Sequence, residues 1–104
     1  MTNAGERSNT MSIIDAVARR KAGVIDLGIY HRPHGIAMLP NGQLVVTIEN
    51  PNGLLLIDPV ARKVLRKYEV RGDHPHMVLL GPKAASAWAS NASSGEVAVV
   101  DLAS

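Results

Sequence analysis

Asn9-Thr10-Met11-Ser12-Ile13-Ile14-Asp15 returns as Asn52-Gly53-Leu54-Leu55-Leu56-Ile57-Asp58, and again as Gly95-Glu96-Val97-Ala98-Val99-Val100-Asp101. The closing aspartates stand at 15, 58 and 101, a spacing of 43 residues each time. Repeats of about 40–45 residues built from short strands are the mark of a β-propeller. Each copy is apolar at successive positions, so both faces of this strand need cover. That is expected where blades pack face to face.

Working outward, alternating runs separated by turn signals read as short antiparallel strands. Met11–Asp15 and Gly23–Leu27 form one pair. Ile36–Leu39, Gln43–Ile48, Leu54–Asp58 and Val64–Val70 form a set of four, its first hairpin marked by Pro40-Asn41-Gly42. His76–Leu80, Ala84–Ala89 and Glu96–Asp101 form a set of three. Each repeated Asp precedes a turn, where its carboxylate can accept backbone N–H groups two residues on. The fold class is therefore all-β, a β-propeller fragment of about two and a half four-stranded antiparallel blades. Residues 1–8 read as a polar lead-in. Residues 9–30 end one blade, 31–73 make a complete blade, and 74–104 make an incomplete one.

The totals agree with a single globular unit: 104 residues, 46% hydrophobic and 19% charged. That length is below a closed propeller, so the expected partners are the remaining blades of a longer chain or copies of itself. A net charge of +2 is too small, and the basic residues too scattered, for a nucleic-acid footprint. With no cysteine, disulfides and thiolate metal sites are excluded. No run reaches the length of a membrane span, and the N-terminus lacks the apolar core of a signal peptide. Localisation is not readable.

Chain reversal at each strand sorts the loops. His31, His34, His74, His76, Glu49, Asn50, Asn52 and Asn91 fall on one face of the propeller. Arg19, Arg20, Lys21, Arg62, Lys63 and Lys83 fall on the other. Glu69, Asp26 and Asp73 lie on or near outer strands, where charge protects an edge. His34 and His76 open the innermost strands of their blades and should approach the central channel. Imidazoles there suit a small-molecule ligand, a metal or proton transfer, with Glu49 as a carboxylate partner. The plainer role is structural, each His fixing its blade opening through backbone hydrogen bonds. His31, His34, His74, His76, Asn50 and Asn91 are the candidate ligand-binding residues. His34, His76 and Glu49 are the candidates for catalysis. No phosphate loop, nucleophile elbow or H-E-x-x-H is present.

Arg32-Pro33-His34-Gly35-Ile36-Ala37, followed by Leu39-Pro40-Asn41-Gly42, resembles the opening of the YVTN-type propeller repeat of surface-layer-like and lactonase-like proteins. Asn9–Asp15 resembles that repeat's third strand, and Ala87-Trp88-Ala89-Ser90-Asn91 sits where it carries its tetrad, with Trp88 for Tyr. The resemblance covers residues 9–104. It implies a seven-bladed parent, often exported, with a non-enzymatic binding or scaffold role and no cofactor. Thr47, Glu49 and Asn50 are also similar to a stretch of streptogramin-lyase-like propellers. That resemblance implies an alternative, a lyase-like or lactonase-like enzyme acting at a His-lined channel with a divalent metal.

Overall fold

A computed structural model describes residues 1–3, 8–70, 74–91 and 95–103. Asp73 lies outside them, as does the 71–73 boundary between the second and third units. Among the described residues, nine strands form three antiparallel sheets. The first holds β1 (Thr10–Asp15) and β2 (Arg20–Asp26). The second is a meander of β3 (His31–Met38), β4 (Leu44–Asn50), β5 (Asn52–Asp58) and β6 (Lys63–Glu69). The third holds β7 (Pro75–Leu80), β8 (Ser86–Asn91) and β9 (Glu96–Asp101). These are consecutive blades of a β-propeller: the outer part of one, all of the next, and the inner three strands of a third.

The repeated aspartates close the hairpins. One oxygen of Asp15 accepts the N–H groups of Val17 and Ala18, both at 3.0 Å. Asp58 does the same for Val60 and Ala61 at 2.9 and 3.1 Å. Arg19 and Arg62, four residues after each Asp, take left-handed backbone angles of φ 55° and 58°. Both hairpins also shift register at the same place, between Ile13 and Ile14 and between Leu56 and Ile57. Equal sequence signals have built equal turns.

Alternation along β4 and β5 divides the core in two. Leu44, Val46, Ile48, Leu55 and Ile57 pack against Met11, Ile25 and Leu27 of the first blade. Val45, Leu54 and Tyr68 pack against Val78, Ala87 and Ala89 of the third. The central strand is thus dry on both faces. Its repeat partner β9 is not, for Val97 and Val99 are 62% and 58% exposed.

Most strand ends shift by one to three residues from the sequence expectation, β2 for instance beginning at Arg20 rather than Gly23, and three differences have identifiable causes. β3 begins at His31, five residues early, because a bulge between Pro33 and Ile36 lets the chain keep pairing with β4 past the proline. β8 begins at Ser86, since Pro82 starts a 3-10 turn over Pro82–Ala84. The first three residues of the polar lead-in pair with β1. Thr2 bridges Met11, the Ser12 N–H donates to the Met1 carbonyl at 2.8 Å, and the Asn3 N–H donates to Thr10 at 3.2 Å. They take the second-strand position of the first blade. Residues 4–7 lie outside the described residues.

Candidate functional site

The innermost strands β3 and β7 open alike. At each opening one residue takes the left-handed region, Arg32 at φ 55° as the second residue of β3 and His74 at φ 54° just before β7. A buried proline follows, Pro33 or Pro75, and then a histidine. Pro fixes the extended backbone after the kink, and a histidine follows it on each strand. His34 and His76 stack, with ring centroids 3.6 Å apart and planes inclined by 32°. Nδ1 of His34 is closed off from solvent and has no hydrogen-bond partner.

A hydroxyl holds the two strands in this register. Thr47, fully buried on β4, accepts the Gly35 N–H at 2.8 Å and donates to the His76 carbonyl at 2.9 Å. The same link recurs one blade earlier, where Thr2 donates to the His34 carbonyl at 2.8 Å. It begins one blade later, where Ser90 accepts the Met77 N–H at 3.4 Å. Gly35 is required here by close approach. A Cβ on it would fall 2.6 Å from the His76 carbonyl oxygen and 2.8 Å from the Met77 Cα.

The other candidates separate from this pair. Glu49 forms an ion pair with Arg32, Oε2 to Nε at 3.0 Å, rather than with an imidazole. Its side chain is 7% exposed against 43% for Arg32. Arg32, Glu49, Asn50 and His74 line an open cleft of about 210 Å³ between the second and third blades. The His74 N–H donates to the Asn52 side chain at 3.2 Å. His31 sits opposite Asn50 in the β3–β4 register, and Asn91 is buried opposite Pro75. Of the six candidate ligand residues, His34 and His76 form the stacked pair, Asn50 and His74 line the polar cleft, and His31 and Asn91 belong to neither. Among the described residues, no three His, Cys, Asp or Glu side chains are grouped to hold a metal ion.

Sequence reasoning passed over Arg32, Thr47 and Thr2 as site residues. The signal for the hydroxyls is positional. Thr47 and Ser90 stand 43 residues apart, and Thr2-Asn3 repeats the hydroxyl-Asn ending seen in Ser90-Asn91.

No family model matches the sequence, and no curated protein matches it. Among solved structures, the chain is similar to hydrazine synthase of Kuenenia stuttgartiensis, with a TM-score of 0.78 and 18% identity. The match covers 91% of this chain and 27% of that one. At this identity the likeness concerns the fold alone, and the fold is that of a propeller segment. The chain spans about a quarter of the length of the protein it matches. Among the described residues, no helix is long and apolar enough to cross a membrane.

Proposed function

We propose that this chain is a non-enzymatic binding or scaffold module within a larger β-propeller of the YVTN type. The observation that carries this reading is the far face of the third blade. Met77, Leu79, Trp88 and Val97 are exposed there around an apolar groove of about 260 Å³, and Val99 is exposed further along β9. The equivalent face of the middle blade, with Leu54 and Val45, is buried under the next blade. Ser90 lines the same groove. In the two earlier blades the equivalent hydroxyl donates to the following blade's histidine carbonyl. A surface with this apolar area and this repeated donor fits another blade.

The test is the mass of the purified chain in solution, alone and with L79S/V97S. Self-association that the double substitution suppresses supports the reading. A monodisperse 11.1 kDa monomer indifferent to the substitution overturns it.

One observation favours a second reading, a channel enzyme of the lactonase-like or streptogramin-lyase-like kind. It is the stacked pair His34 and His76 with its unpartnered Nδ1. A divalent metal that binds the native state raises its melting temperature. Protection by zinc or calcium that is lost in H34A/H76A would support this reading. Equal protection of both proteins would refute it.

A further inference from the structure

The opposite rim of the propeller carries a second repeated feature. The β1–β2 tip reads Asp15-Ala16-Val17-Ala18-Arg19-Arg20-Lys21, and the β5–β6 tip reads Asp58-Pro59-Val60-Ala61-Arg62-Lys63. At the same turn position each tip projects a valine, Val17 at 95% and Val60 at 91% exposure. A single exposed apolar residue is ordinary. Here the same one recurs in consecutive blades, each time just ahead of a run of cations.

The valines are held out rather than left loose. Their own backbone N–H groups donate to Asp15 and Asp58, and a left-handed Arg closes each turn. The two tips lie side by side, because the Arg62 guanidinium rests over Gly23 of β2. A Cβ there would meet its carbon at 2.7 Å. Together the tips carry five cations against two carboxylates, and those carboxylates are engaged by the turns. None of the five cations forms an ion pair among the described residues.

We infer that this rim docks on an anionic lipid bilayer, with Val17 and Val60 entering the headgroup boundary and the flanking Arg and Lys side chains meeting acidic headgroups. A partner that is polyanionic throughout, such as a nucleic-acid backbone, would satisfy the cations and leave both valines in water. A bilayer surface takes both groups at once. Each basic residue near an acidic bilayer strengthens binding by about fivefold.

Flotation with vesicles tests this, since floated vesicles separate bound protein from any aggregate that sinks. Vesicles of phosphatidylcholine mixed with phosphatidylserine should carry the chain upward, and phosphatidylcholine alone should not. Added salt should weaken the binding. V17S/V60S should bind about tenfold more weakly, and R20Q/K21Q/K63Q about a hundredfold more weakly. All five positions are exposed, the valines on the turns and the cations at the first residues of β2 and β6, and an unchanged far-ultraviolet spectrum confirms that the variants fold. Equal flotation with both vesicle types, or none with the acidic ones, overturns the inference. So does V17S/V60S binding as tightly as the parent, which would assign the contact to charge alone or to the apolar face of the third blade.

Discussion

The hydroxyl of Thr47 donates to the carbonyl of His76 at 2.9 Å, across the boundary between two blades. It also accepts the Gly35 N–H, so one buried side chain satisfies two backbone groups from two sheets. A buried polar group left without a partner costs about 1–3 kcal/mol. Thr47→Val keeps the shape and removes the hydroxyl. It should lower unfolding free energy in urea by about 2 kcal/mol, and Thr47→Ser should recover most of the loss. A Thr47→Val midpoint equal to the parent's would show that water replaces the bridge.

Gly35→Ala pushes a methyl into backbone that belongs to another blade. Nothing there is a flexible side-chain end. The substitution should destabilise by about 1–3 kcal/mol, the usual scale of overpacking. Gly42→Ala is the control. A Cβ there meets nothing within 4 Å, and its cost comes from a φ of +88° alone. If the added methyl at Gly35 is silent, the blades must separate more easily than their packing indicates.

Leu55 and Val97 occupy the same strand of successive blades, yet one is buried on the first-blade side and the other faces solvent. Leu55→Ala should cost about 2–5 kcal/mol. Val97→Ala should change the stability of the isolated chain by less than about 0.5 kcal/mol. Thermal or urea unfolding of the two variants side by side measures this asymmetry. A large loss at Val97 would mean that another copy covers the face in solution.

The ion pairs are equally unequal. Glu49 is 7% exposed beside Arg32, whereas Glu69 is 83% exposed beside Lys67. Exposed pairs contribute about 0–1 kcal/mol, and removing one partner of a buried pair costs more. Glu49→Gln should therefore destabilise by about 1–2 kcal/mol, and Glu69→Gln should be silent within error. The order of the two urea midpoints checks this. A silent Glu49→Gln would show that Arg32 finds solvent instead.

Much of the fold is legible in the chain because its causes are local. Strand alternation, Asn41-Gly42 and the recurring aspartates act over a few residues, and each produces the hairpin that its pattern implies. The early start of β3 is less legible, since Pro33 normally stops a strand and only pairing with β4 through a bulge carries the chain past it. The site is legible by half. Topology puts the histidines on one face, but nothing in the spacing of Glu49 directs it to Arg32. The lead-in reads as unpaired because Met1–Asn3 is too short to show alternation.

The sequence by itself determined the repeat of 43 residues, the order of the strands and the form of the turns. All of these follow from backbone preference and from hydrogen bonds within a few residues. Tertiary structure decided that His34 lies on His76, that Thr47 and Thr2 link neighbouring blades, and that Leu54 is covered while Val97 is not. Those outcomes depend on how closely separate sheets approach. That distance is set by side chains far apart in the chain, packed together only once the blades have stacked.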